Sequence, residues 1–336
     1  MPATDPLIPP SMRDGARRIA DALKSVDRVL VTGHVHPDGD ALGSMAAAAH
    51  ILQTLGKRWA LFADVPVPPH LESLPLPGPV LTEPASLPFK PESALLLDFN
   101  DTSRLAPKLA PLPDIPVVNV DHHLAPNGGL GTIANWLVPE AAATAQLVAY
   151  VALTLDLPLQ GDMAEALLHG IVSDTGGFLH GNTGADVLRL AAHIVEQGCD
   201  MSALRNRMRN TWTLGQMRLW SRLMGNVTLL RHDGIAFCSV SRQDMEETGT
   251  GPDGTEGFVE QMRQLRGVAV TALLREDKDR CKFSLRSQGE TDVQAVAARF
   301  GGGGHRNAAG GELFTSLEEA KDTLIKALEA MPLLQA

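Results

Sequence analysis

The chain is short of cysteine, aromatic side chains, long apolar runs and positive charge, and each shortage excludes something. Three cysteines, Cys199, Cys238 and Cys281, stand among 336 residues. They have no CxxC spacing and cannot all pair, which argues against a disulfide framework or a thiolate zinc site and for reduced thiols in a cytoplasmic protein. No stretch reaches the ~18 uninterrupted apolar residues of a membrane helix. Met1 to Pro10 has neither a basic region nor an apolar core, so no signal peptide is expected. One tyrosine and nine phenylalanines leave no obvious base-stacking residue; Phe178 and Phe300 are the nearest. A net charge of −10 argues against a protein that grips long nucleic acid through many phosphates.

Charge is unevenly spread. Residues 1–200 hold 11 Lys+Arg against 22 Asp+Glu, residues 201–310 hold 16 against 12, and the tail holds 2 against 5. An acidic half suits cations and a basic segment suits anions, although ordinary surface variation has the same appearance. The length favours two domains. In the first, apolar runs at Arg28–Thr32, Trp59–Ala63, 94–97 and 116–120 alternate with helical patterns at 11–26, 41–56, 142–155, 162–173 and 185–197. Strands alternating with helices predict an α/β fold with a doubly wound, mostly parallel sheet. Nine prolines between residues 65 and 91 mark an irregular connection. The expected boundaries are 1–205 for this domain, a helical connector at 206–226, and a smaller α/β domain at 227–336. The second domain has strand-like runs at 227–231, 235–240, 267–274 and 281–287. Helices near 292–299 and 316–330 flank a loop of four glycines, Gly301 to Gly304.

Ligand-type side chains gather at the ends of these elements. His34, Asp38 and Asp40 lie within seven residues between a strand and a helix, where α/β proteins place their chemistry. Asp98 ends another strand, Asp121-His122-His123 ends a third, and Asp174 precedes a Gly-Gly pair. Each admits a bland alternative: Asp40 as a helix N-cap, Asp98 as a turn cap, Asp174 as an N-cap. Taken together, four aspartates and two histidines fit a two-metal centre. Carboxylate and imidazole ligands favour Mn²⁺ or a similar divalent ion over structural zinc.

The motifs HVHPDGDALGS (34–44), LLLDFND (95–101), VDHH (120–123) and GIVSDTGGF (170–178), in that order, resemble those of the DHH phosphoesterase superfamily. SLRS (284–287) followed by RFGGGGHRNAAG (299–310) resembles the DHH-associated substrate domain. The layout is most similar to the nano-RNase/pAp-phosphatase branch. The resemblance implies one metal held by His34, Asp38 and Asp98, and a second by Asp40, Asp98, His122 and Asp174, with Asp98 bridging. Mn²⁺ is the preferred ion, with Mg²⁺ or Co²⁺ as substitutes. It makes Asp98, His123 and Asp174 catalytic, with His123 facing the substrate phosphate and Asp121 supporting a neighbouring imidazole. His36 and His50 receive no role. The glycines let backbone N–H groups approach an anion, so Gly302, Gly303, Gly304 and His305 are expected at the substrate, although a flexible turn is the alternative. Arg286 is expected to clamp a phosphate or base edge, with Ser287 beside it; Arg104 and Arg306 are weaker phosphate candidates.

The implied activity is metal-assisted hydrolysis of oligoribonucleotides of about 2–5 residues, including linear dinucleotides such as pGpG, to 5′-mononucleotides. The same chemistry removes the 3′-phosphate of pAp. Neither long duplex nucleic acid nor a membrane is an expected partner, and the family admits a homodimer. A RecJ-like exonuclease would need an extra nucleic-acid domain, and a pyrophosphatase of the superfamily would lack the GGGGH loop. A sensor that binds cyclic dinucleotides without turnover would not need a bridging carboxylate.

Overall fold

A computed structural model describes residues 5–110, 114–209 and 212–333, the side chains of Arg209 and His305 excepted. The chain divides into two units, Met1–Thr211 and Trp212–Ala336.

The first unit runs α1 (Arg13–Ser25), β1 (Val29–Thr32), α2 (Gly39–Thr54), β2 (Trp59–Phe62), β3 (Val80–Leu81), β4 (Ser93–Leu97), β5 (Val117–Asp121), β6 (Ala134–Leu137), α3 (Thr144–Thr154), α4 (Gly161–Asp174), α5 (Ala185–Glu196) and α6 (Met201–Arg209). The strands form one sheet in the order β3-β2-β1-β4-β5-β6, every pairing parallel. Strand side chains alternate between faces. Val29, Val31, Leu95, Leu97, Val118 and Val120 enter the larger core under the helices. Leu30, Phe62, Ala94, Leu96 and Val117 enter a smaller core with Leu105, Ala106 and Leu109. Strand order is that of doubly wound proteins, but the smaller core is closed by irregular chain and 3₁₀ turns such as Pro84–Ser86 and Pro107–Leu109. Prolines in those connections disfavour the crossover helices usual in such a fold. The proline-rich stretch also supplies β3, and Leu81 and Leu87 pack on this core.

Helix α2 is alanine-rich and buried almost all round, so it has no solvent face to keep polar. It lies tightly on α4, where Gly170 has a structural reason. A Cβ there would come within 2.9 Å of Asp40 Oδ1 and 2.7 Å of Ala145 Cβ, so the missing side chain makes room for a buried carboxylate.

The second unit runs α7 (Leu214–Gly225), β7 (Thr228–Leu230), β8 (Ile235–Val240), α8 (Arg242–Thr248), α9 (Phe258–Met262), β9 (Val270–Glu276), β10 (Cys281–Ser287), α10 (Gln294–Ala298), β11 (Gly303–His305), β12 (Ala308–Leu313) and α11 (Leu317–Glu329). Its sheet, in the order β11-β12-β10-β9-β8-β7, is antiparallel except for the β8–β9 pair. Phe237, Phe283 and Leu285 face a core with α10 and α11, while Cys238, Val240 and Leu273 face one with α7 and α9. The stretch 206–226, read as a connector, takes in the end of α6, within the first unit, and α7, whose Leu219, Trp220 and Leu223 are buried in the second. All three cysteines are free thiols, Cys238 and Cys281 buried and Cys199 half-buried. Among the described residues, no helix is long and apolar enough to cross a membrane.

Candidate metal centre

Strands β1, β4 and β5 lie side by side, and the connections reverse direction between β1 and β4, where open α/β sheets form a crevice beyond their carboxyl ends. Each of the three strands ends in ligand-type residues. Beyond β1 come Gly33 and His34, and then Asp38, whose Oδ1 accepts the N–H groups of Asp40 and Ala41 at 3.0 Å each. Asp38 rather than Asp40 therefore caps α2, and Asp40 stands buried in the first turn. Asp98 follows β4 with φ +68°, a left-handed conformation that aspartate enters more readily than most residues with a Cβ. Asp121 closes β5 and is followed by His122 and His123. Asp174 is the last residue of α4 and so is not an N-cap.

These side chains converge. Asp98 Oδ2 lies 3.5 Å from His34 Nε2, while its Oδ1 lies 3.6 Å from His122 Nε2. His34 Nε2 is 3.8 Å from Asp38 Oδ2, and His122 Nε2 is 3.9 Å from Asp40 Oδ2 and 3.4 Å from Asp174 Oδ2. Three overlapping ligand groups result: His34/Asp38/Asp98, Asp40/His122/Asp174 and Asp98/His122/His123, each with its ligand atoms within 4.8 Å of one another. Most of these separations are long for hydrogen bonds, yet ligands at about 2.1 Å from a shared cation stand about 3.0–3.5 Å apart. His34 Nε2 is moreover a buried nitrogen with no hydrogen-bond partner among the described residues. The donor set fits divalent cations.

The surrounding bonds fix the ligands. His122 Nδ1 donates to the Ala141 carbonyl at 3.2 Å, which leaves Nε2 with its lone pair toward the carboxylates. The N–H groups of Thr144 and Ala145, at the start of α3, donate to Asp40 at 2.6 and 2.9 Å, and Thr144 Oγ1 donates to Asp98 Oδ1 at 2.8 Å. Burial, together with the facing Asp98 and Asp174, pushes the Asp40 carboxyl well above the usual range. Burial raises Asp174 as well, with Asp98 adding to it against the pull of His122. Burial opposes charge on His34, but Asp38 and Asp98 outweigh it and hold the imidazole up to about 9. Carboxylates crowded so closely repel one another, and a divalent cation relieves that repulsion.

The pattern has counterparts. Residues 28–171 match the family model described as DHH family, N-terminal domain, and residues 234–331 match the DHHA1 domain. A bifunctional oligoribonuclease and PAP phosphatase NrnA of Thermus thermophilus is 33% identical over 93% of this chain and 93% of its own. The chain belongs to the DHH family. It is accordingly a phosphoester hydrolase, the class read from its motifs. The Bacillus subtilis NrnA is 25% identical over 91% of this chain and 95% of its own. An exopolyphosphatase-related protein of Bacteroides fragilis superposes with a TM-score of 0.85 at 25% identity, covering 94% of this chain and 96% of that one.

The remaining polar residues of the DHH unit have separate partners or surroundings. Asp121 supports the neighbouring imidazole of His123, with Oδ1 2.8 Å from His123 Nδ1. That contact raises the His123 imidazole against the effect of burial. Asn100, in sequence an ordinary polar loop residue, bonds to Asp121 and to the His123 and Leu124 carbonyls, pinning the loop. Thr144 has no sequence signal beyond its place at the start of a helix. His36 is exposed, and His50 lies on α2.

In the DHHA1 unit a cleft of about 750 Å³ is lined by Arg286, Arg275 and Lys282 together with Glu260, Glu256, Asp253 and Glu312. Arg286 is tied to Glu260 at 2.8 Å, and Arg306 to Glu290 at 2.6 Å. The expected glycine loop is in part a strand: β11 pairs Gly303 with Gly310 and His305 with Ala308. A Cβ on Gly302 would stand 2.2 Å from the Gly310 carbonyl oxygen, so this glycine serves the close approach of two chains, whereas Gly303 has open space. By register His305 shares a row with Ala308 and Arg286; its side chain lies outside the described residues. Ser287 is a correction. It is buried, donating to the Thr291 carbonyl at 2.6 Å and accepting from Asn307 at 2.9 Å, and so is spent on the fold instead of a substrate. Phe300, half-buried, packs edge-on to Phe283 at 5.8 Å.

Proposed function

We propose that the protein is a cytoplasmic oligoribonuclease of short range that also dephosphorylates pAp, working with two divalent cations of which manganese is preferred. The observation that carries this reading is Asp98, whose two oxygens face opposite ligand groups, as a carboxylate shared by two cations must. His34 and Asp38 would complete one site, and Asp40, His122 and Asp174 the other. When bound, such a pair lowers the pKa of a water and withdraws charge from phosphoryl oxygens. The chain's own groups do the rest. Thr144 holds Asp98 and the start of α3 holds Asp40, so neither carboxylate has to reorganise as charge develops. His123, oriented by Asp121, would face the substrate phosphate, and Asp174, 3.4 Å from His122, would complete that ligand group. Arg286, with Gly303, Gly304 and His305, would contact the remainder of a short substrate. The free cysteines support a reducing, cytoplasmic setting. The two NrnA relatives, matched over nearly their whole length, support both substrates.

Release of 5′-mononucleotide from a ladder of labelled oligoribonucleotides and from pAp, with manganese and with magnesium, tests the proposal. Turnover should be greatest at about two to five residues and fall steeply beyond. Cleavage confined to long strands would overturn it.

A further inference from the structure

The DHH unit has a cation that its ligand chemistry does not use. With cations bound, Asp38, Asp40, Asp98 and Asp174 would bring four negative charges, which two divalent cations would cancel. A phosphoryl group then adds negative charge that nothing in this set neutralises. Arg286 and Arg306 already have carboxylate partners. Arg104 has none within ion-pair distance among the described residues, although it is only partly exposed. Its Nη1 lies 3.3 Å from His123 Nε2. His123 Nδ1 is occupied by Asp121, so the guanidinium rests on the imidazole lone pair, a neutral and weaker acceptor than an anion. Five N–H donors in a rigid fork thus stand beside the His123 edge with a single side-chain partner among the described residues.

Local structure aims this arginine. One loop after β4 delivers Asp98, Asn100 and Arg104. Asp101 caps the 3₁₀ turn Thr102–Arg104 by accepting the Ser103 N–H at 2.8 Å. The Arg104 carbonyl accepts the Val35 N–H at 2.9 Å, which ties the turn to the loop carrying His34 and Asp38. Arg104 is therefore fixed to two of the three strand ends that carry these groups and touches the third through His123.

We propose that Arg104 is a catalytic residue that donates to a non-bridging oxygen of the phosphoryl group met by His123. Anion arrival replaces the imidazole as its acceptor. This rests on the hydrolase reading above, and the test separates the two. Binding of inorganic phosphate and of AMP to manganese-loaded protein is measured by calorimetry for the wild type, Arg104→Ala and Arg104→Lys, with metal content determined alongside. Arg104→Ala should keep the wild-type manganese content, bind both anions at least about tenfold more weakly, and lose about 10²–10³ in turnover of a dinucleotide. Added guanidinium should restore part of that loss, and Arg104→Lys should fall between, since an ammonium lacks the fork. Arg104→Ala binding AMP within twofold of wild type overturns the assignment, as does a wild type that binds neither anion. Absence of turnover in the wild type would refute the hydrolase reading, while the binding comparison would still decide on Arg104.

Discussion

The two units treat charge in opposite ways. In the first, His34, Asp40, Asp98, Asp121 and His169 are buried; in the second, the buried polar side chains among the described residues are all hydroxyls, Thr248, Thr255, Thr271, Ser287 and Thr291. Charged groups of the second unit remain near the surface in neutralised pairs such as Arg286–Glu260 and Arg280–Glu312. The difference follows from topology. A parallel sheet brings the carboxyl ends of neighbouring strands to one edge, so three loops can crowd carboxylates into a shared crevice. The mixed sheet scatters its strand ends and builds two ordinary apolar cores. Buried carboxylates cost stability until a cation arrives, so folding and cation binding should be linked in the first unit and independent in the second.

The largest test of that contrast is Asp98→Asn. Asparagine tolerates the left-handed backbone at this position and keeps the shape while removing the charge facing both ligand groups. Turnover of dinucleotide and of pAp, measured with saturating manganese, should fall by more than about 10³-fold; activity near the wild-type level would refute the shared-ligand role. Cation removal comes next. Manganese at a hundred times its dissociation constant contributes about 2.7 kcal/mol to whatever binds it. Hydrogen exchange should therefore show α2, α3, α4 and β4 losing protection on chelation, while β8, β9 and β10 keep theirs. Equal loss in both units would break the contrast. Asp98→Asn should reverse the sign in the chelated protein: with one repelling carboxylate gone from beside Asp40 and Asp174, α2 and α4 should gain protection over the chelated wild type.

A pH test concerns a different buried group. Burial, with His70 and Arg207 adding to it, holds the His169 imidazole of α4 down to about 4 from an ordinary 6.5. Between those values the unfolded chain binds a proton that the folded chain does not. Stability is thus complete above about pH 6.5 and is lost as pH falls toward 4. In urea unfolding followed by exchange in the first unit, His169→Gln should lose about 1–2 kcal/mol less than wild type between pH 7 and pH 5. Parallel losses would show that the imidazole titrates freely in the fold.

The contrast also decides what could be read in advance. In the first unit the ligand-type residues come as a run after a strand, and a strand ending in Asp-His-His has few explanations, so the gathering of His34, Asp38, Asp40, Asp98, His122 and Asp174 at neighbouring element ends was legible. Long elements were legible too, because periodicity accumulates over α2, α3, α4 and α5. Short ones escaped: β3 and β6 have two and four residues, and α8 and α9 lie in polar, glycine-bearing chain. Groups that act on a ligand through space were invisible. Asn100 and Thr144 have ordinary sequence surroundings, and only the register of β4 and β5 and the placement of α3 bring them to Asp121 and Asp98. Glycines were ambiguous in principle, since freedom to meet an anion and freedom to approach another strand have one sequence signature, and Gly302 took the second.

Ser287 is the smallest test, and it asks whether the second unit is as detached from the chemistry as its buried hydroxyls suggest. Its neighbour Arg286 lines the cleft, whereas Ser287 points to the opposite face of β10, where alternation places buried side chains. The hydroxyl satisfies two groups at once, the Thr291 carbonyl and the Asn307 amide. Ser287→Ala leaves both without that partner, at a cost of about 1–2 kcal/mol, and should show as lost protection in β10 and β12. The first unit should keep its protection and its response to manganese, with turnover within about twofold of wild type. A selective rise in KM at unchanged stability would place this hydroxyl at the substrate and weaken the division between a charged unit that performs chemistry and a neutralised one that does not.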